Sequence, residues 1–300
     1  MDTEFGTPPA FTAPGAAHGL GPVAVGTDGS ATATTAVLWA AAEAARRDRS
    51  LTIVHATGSD TVRHITPDGA AFLLAEGERC LHEAHQEALA RCPDVHVETV
   101  LSRGEAAESV LEAAGADGTA VMGSRGLGGF SALLLGSCSL RAAARTQVPL
   151  VVVRNAHGPD KGVVAVALRD DRDREALRFA ARTARSRGAE LRVVSGWMFL
   201  ESVGSMVPMV DDIASLTDAE EGATRRSVAP VRREFPEVKI VEETVRTRSI
   251  AGTLVHASDQ ADLLVVGARR PAHPARAAFG GVTHALLHHA RCPLAVVPHD

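Results

Sequence analysis

Aromatic residues make up 3% of the 300-residue chain, eight Phe and two Trp with no Tyr. Cores must therefore be built mainly from Ala, Val and Leu. Lysine is also nearly absent: of 31 basic residues only Lys161 and Lys239 are Lys. Together with abundant Ala, that bias reads as GC-rich coding rather than function. A net charge of −5 excludes a general nucleic-acid binder, which needs a dense basic face. The four cysteines, Cys80, Cys92, Cys138 and Cys292, form no CxxC or metal-type spacing, and a chain of this size needs no disulfide staples. A reducing, cytoplasmic setting is expected. No apolar run approaches the roughly 20 residues of a membrane helix. The start of the chain lacks a basic region followed by an apolar run, so it does not read as a signal peptide. Residues 1–19, rich in Pro and Gly, are expected to form a disordered tail. Catalytic signatures are missing too: there is no GxxxxGK[ST] loop, no GxSxG and no Ser/His/Asp grouping.

What is present is a soluble globular composition, 45% apolar and 22% charged, long enough for about two domains. Short buried runs (PVAVG, LTIVHAT, VHVETVL, TAVMG, VPLVVVR) alternate with amphipathic stretches. Ser30 is placed to cap the first helix, a second helix is expected over 71–91, and another over SLRAAARTQ. Such alternation predicts βαβ crossovers and a parallel sheet covered on both faces. The second half repeats the script. Gly123 and Gly267, Gly136 and Gly280, and Pro149 and Pro293 share one offset of 144 residues, which indicates duplication. The turn-rich NAHGPDKG (155–162) reads as the hinge. The expected organisation is a tail over 1–19, one α/β domain over 20–156 and a second over 157–300. Each is read as a five-stranded parallel sheet with helices on both faces.

Chemistry concentrates after TAVMG. The sequence VMGSRGLGGFSALLLGSCS places Gly123, Gly126 and then Gly136-Ser137 in the frame G-x2-G-x9-G-S. Glycines lacking Cβ let main-chain N–H groups approach a phosphate. The helix opened by Gly136-Ser137 offers unpaired amides and the positive end of its dipole. Arg125 adds charge, and the hydroxyls of Ser137 and Ser139 are candidate donors or holders of a phosphate-bound metal. In the second copy Arg270 replaces Gly126 and Gly281 replaces Ser137. Gly26 aligns with Ala167, and Asp28 with Arg169 if no shift is allowed.

This loop, with VGTDGS at the first strand and VPLVVVR at the last, resembles the universal stress protein family in its tandem form, over residues 20–300. The resemblance implies a Rossmann-like fold akin to adenine nucleotide alpha hydrolases and, for one subgroup, ATP bound at the loop, with Mg2+ or Mn2+ on its phosphates. Carried over by position, Gly26 and Asp28 would face the nucleoside and Ala56 would line the adenine pocket. Met122, Gly123, Arg125 and Gly126 would hold ribose and phosphates. Gly136, Ser137, Cys138 and Ser139 would close around the phosphate tail. No catalytic residue and no protein metal ligand is assigned. A stress-response role is implied, with either a homodimer or an intrachain pseudo-dimer through VPLVVVR and CPLAVVP, and an unknown protein partner.

Other features are weighed beside this one. His284 and His288 stand at i, i+4 with His289 adjacent, a metal-compatible spacing without an evident third ligand, so a solvated helix is expected. Cys138 is read as a small buried Cys, the alternative being a redox-sensitive position at a helix start. Asp211 and Asp212 are read as turn and cap residues, and VGSMVPMVDD as either a flap or a contact surface. Three functions remain open: an ATP-binding regulatory protein, a slow ATPase or nucleotidyl-transferring enzyme, and an interaction module that binds no nucleotide.

Overall fold

The computed structural model describes residues 20–58, 66–126, 135–154, 160–198, 210–269 and 280–299, with side chains of 210–213 excluded. The N-terminal tail, residues 127–134 of the glycine loop, 155–159 of the hinge, 199–209 of the apolar stretch and Arg270 lie outside them. The first half runs β1 (Val23–Gly26), α1 (Ala31–Arg47), β2 (Leu51–Ala56), α2 (Pro67–Arg91), β3 (Val97–Ser102), α3 (Ala106–Ala114), β4 (Thr119–Gly123), α4 (Ser137–Arg145) and β5 (Leu150–Val153). The second runs β6 (Val163–Ala167), a short 3-10 turn (Asp171–Asp173), α5 (Arg174–Arg187), β7 (Glu190–Trp197), α6 (Val210–Glu234), β8 (Ile240–Arg246), α7 (Ile250–Asp259), β9 (Leu263–Arg269), α8 (Gly281–His289) and β10 (Leu294–His299).

Local chemistry sets the helix limits. The Ser30 side chain accepts from the Ala33 amide, and Asp48, in the left-handed region at φ 52°, ends α1 after Arg46 and Arg47. Helix α2 begins at Pro67 rather than at residue 71, because Thr66 caps it and proline suits the first helical position. Helix α4 likewise begins two residues before Ser139. Asp211 and Asp212, expected in a turn, fall inside the first turn of α6.

The ten strands form one sheet in the order β3-β2-β1-β4-β5-β10-β9-β6-β7-β8. Every neighbouring pair is parallel except β5 and β10, which join the halves antiparallel, with Val151 opposite Ala295. Those two residues are counterparts under the 144-residue offset, so the pseudo-twofold axis of the duplication passes through their pair. Buried strand residues alternate between two apolar layers, Val23 and Val25 in one and Ala24 in the other. Both layers run across the junction.

On one face α1 meets α5. Their left-handed ends, Asp48 and Gly188, correspond, which pairs Arg47 with Arg187, Trp39 with Phe179 and Glu43 with Thr183. The contacts are reciprocal: the Arg187 guanidinium lies 5.5 Å from the Trp39 ring centroid, and Arg47 lies 5.9 Å from that of Phe179. One carboxylate breaks the symmetry. Glu43 is fully buried, accepting from Arg47 Nε (3.0 Å) and Nη2 (2.9 Å) on Oε1 and from Arg187 Nη2 (2.6 Å) on Oε2. Burial alone would raise the Glu43 pKa; the Arg187 and Arg47 charges outweigh it and hold the carboxyl below its usual range.

Removing the carboxylate strands two buried guanidiniums. Glu43→Ala is expected to cost about 3–5 kcal/mol in urea unfolding. Because the folded-state pKa is depressed, the charge contributes stability above the unfolded-state value, about 4.3, and that contribution is lost as pH falls through the lower folded value. The variant's unfolding free energy should therefore fall less steeply than the wild type's over that acid window; parallel profiles would refute the assignment.

Candidate functional site

The carboxyl ends of β1, β2 and β4 open into a cavity of about 500 Å3 beside α3 and α4. All eleven residues singled out from the sequence line it: Gly26, Asp28, Ala56, Met122, Gly123, Arg125, Gly126, Gly136, Ser137, Cys138 and Ser139. Six more were not foreseen: Thr27, Ala33, Val54, Ala106, Val110 and Leu135. Three of these, Val54, Ala106 and Val110, extend an apolar wall along β2 and α3. Their only sequence signal was membership of buried runs and helix faces.

Close packing explains the glycines. A Cβ on Gly123 would lie 2.8 Å from the Thr32 carbonyl oxygen, so the end of β4 sits hard against the start of α1. A Cβ on Gly26 would meet Val110 Cγ2 at 2.9 Å. At Gly126 the structure changes the expected reason. Its bareness accommodates the Asp28 carboxylate, whose Oδ2 would lie 2.3 Å from an added Cβ. Asp28 Oδ1 in turn accepts from the Ser30 amide at 3.0 Å.

Two hydroxyls pin the loop. Thr32 Oγ1 donates to the Arg125 carbonyl at 2.6 Å, and buried Ser139 donates to the Gly123 carbonyl at 2.6 Å. The Ser139 proton is thus committed to the protein, leaving Ser137, which is exposed, as the hydroxyl donor toward the cavity. Cys138 is exposed as well, contrary to the expectation of a buried thiol. Gly136 caps α4 without a side-chain bond. Leu140 N–H is the first to bond back, to the Gly136 carbonyl, so the amides of residues 137–139 lack intrahelical acceptors. Together these make a half-apolar cavity whose other side is main-chain N–H, hydroxyl and one guanidinium.

The second half differs in kind. The Leu168 amide bonds the Val194 carbonyl as Thr27 bonds Val54, which puts Arg169 at the place of Asp28 with no shift. Asp173 stands where the first half has Ala33. Its buried carboxylate accepts from the Arg169 amide at 2.8 Å, and Oδ1 lies 2.2 Å from where a Cβ on Gly267 would be and 3.8 Å from His299 Nε2. A buried anion beside the loop strand opposes a second anion there. Among the described residues no group of three or more His, Cys, Asp or Glu could hold a metal ion. His284 and His288 contact each other, ring centroids 4.6 Å apart, without completing one.

The model of the Universal stress protein family matches residues 20–154 and again 160–298. The chain belongs to the universal stress protein family. Among related universal stress proteins, Rv2624c of Mycobacterium tuberculosis is 29% identical over 279 residues, covering 92% of this chain and 95% of its own length. One from Mycolicibacterium smegmatis is 37% identical over 135 residues, 44% of this chain and 45% of its own. The crystal structure of a universal stress protein from Archaeoglobus fulgidus superposes over 93% of this chain and 98% of its own, with a TM-score of 0.68 at 15% identity. This universal stress protein is therefore the tandem form, two family units sharing one sheet. No helix among the described residues is long and apolar enough to cross a membrane.

The glycine contacts separate two substitutions. Gly123→Ala drives a methyl into backbone and should cost about 1–3 kcal/mol in denaturant unfolding. Gly126→Ala meets only a side-chain carboxylate at the rim and should cost less. Equal losses would contradict the packing described.

Proposed function

We propose that the first half of this universal stress protein binds ATP in the cavity at the ends of β1 and β4, with Mg2+ or Mn2+ on the phosphates, and that the second half is a copy that has lost the site. The observation that carries this reading is the cavity's division. Val54, Ala56, Ala106 and Val110 offer an apolar wall suited to a base, while residues 137–139 in the first turn of α4 offer amides without intrahelical acceptors, suited to phosphate. A volume of about 500 Å3 falls within the roughly 300–1,000 Å3 of small-molecule sites.

The roles follow from position. Asp28, held by the Ser30 amide, is an acceptor for nucleoside hydroxyl or amino groups. Arg125 supplies positive charge at the loop, and Ser137 supplies a hydroxyl. A divalent ion would be carried by the phosphate oxygens, with few protein ligands. Among the described residues the titratable groups lining the cavity are Asp28, Arg125 and Cys138, and no His, Lys or Glu lines it with Asp28 to serve as an acid–base partner. That inventory favours a binding site read out by partners over a turnover site. Family membership supports a stress-response role, with the domains divided near residues 156 and 157 and the chain acting in the cytoplasm.

Native mass spectrometry and calorimetry on the full chain test the reading. The expected result is one ATP per chain. Gly126→Arg, the second half's own residue, places a long side chain against Asp28 and should weaken ATP at least about tenfold. Two ATP per chain, or unchanged affinity in that variant, would overturn the asymmetry.

A further inference from the structure

The junction between the halves brings two arginines and a group of histidines to the edge of the first-half site, where the Ser124 amide bonds the Val153 carbonyl and sets Arg154 beside the loop. Arg154 follows β5, next to β4 in the sheet, and its Nη1 donates to the His288 carbonyl at the end of α8, 2.9 Å away. Its other terminal nitrogen, Nη2, is buried with no hydrogen-bond partner. His284 and His288 stack on one another, with His289 at 6.3 Å from His288. Burial and then Arg125 lower the Arg154 pKa. Burial, then His284, Arg154 and His289, hold the His288 imidazole below its usual value. Among the described residues no carboxylate forms an ion pair with any of them. Arg125 also lines the cavity.

A buried guanidinium N–H with no partner, beside a second arginine and with no ion-paired carboxylate among the described residues, is what a bound anion resolves. We infer that Arg154, Arg125 and the histidine face of α8 form a subsite for a phosphate group at the junction of the halves, so that the second half contributes to anion binding although its own loop is altered. The phosphate could be the terminal group of a nucleotide in the adjoining cavity or a free phosphate ion. Arg154 would act as a positioning residue, oriented by its bond to α8. The nucleotide source rests on the ATP reading above; the free-phosphate source does not.

The test uses the full chain with ATP, AMP and inorganic phosphate as probes. If the subsite takes the terminal phosphate, Arg154→Gln weakens ATP about tenfold and AMP less than about twofold. If it takes free phosphate, inorganic phosphate shifts the ring signals of His284 and His288 in the NMR spectrum of the wild type, a measurement that needs no variant, and the shift is lost in Arg154→Gln. Arg154→Lys, which keeps the charge, should restore either response in part. Equal effects of Arg154→Gln on ATP and AMP, with no phosphate-induced shift in the wild type, would overturn the inference and leave the ATP site standing. Histidine shifts with phosphate in a wild type that binds no nucleotide would do the reverse.

Discussion

A single carboxylate with no access to water fixes how the two halves meet. Glu43 accepts from Arg47 on its own helix and from Arg187 on the other half, and each arginine also lies over an aromatic ring of the opposite helix. The desolvation cost of such a group is offset only while both guanidiniums stay in place. Helix α1 is therefore held at its carboxyl end by the junction. At its amino end the same helix presses against Gly123 and bonds the Arg125 carbonyl through Thr32. The geometry of the glycine loop and the docking of the halves thus rest on one 17-residue rod.

Duplication supplied the frame and divergence supplied the difference. Both halves keep the strand order, the left-handed helix ends and the glycine that admits the loop strand. They differ where charge matters. Asp28 and Ala33 in the first half correspond to Arg169 and Asp173 in the second, and the buried Asp173 carboxylate closes against Gly267. A loop strand that meets Ala33 and one that meets the buried Asp173 carboxylate are not interchangeable, although the backbones around them match. The antiparallel β5–β10 pair lets the second half keep a structural role whatever its own ligand chemistry.

Much of this was legible in the residues. Alternating apolar runs and amphipathic stretches gave the central strands, because burial on both faces leaves a strong signal in composition, whereas the half-exposed edge strand β8 left none. The G-x2-G-x9-G-S frame located the cavity, since a loop that approaches helix and strand closely tolerates only glycine. The reasons at single positions were less legible. Gly126 looked like an opening for phosphate, and its bareness also makes room for Asp28, a contact between residues 98 apart in the chain. Glu43 left no signal in the sequence, because nothing local says that Arg187 will cover it. Cys138 was read as buried from its size and neighbours, yet the first turn of α4 turns it outward. For Gly126 and Glu43 a partner distant in sequence decided the outcome.

The central claim is that open amides of the first half, and not those of the second, receive the nucleotide. Amide hydrogen exchange with and without ATP measures this directly. Protection is predicted at residues 137–139, with no change at the corresponding residues 281–283. Equal protection in both halves, or ATP binding that leaves residues 137–139 exchanging as before, would contradict it.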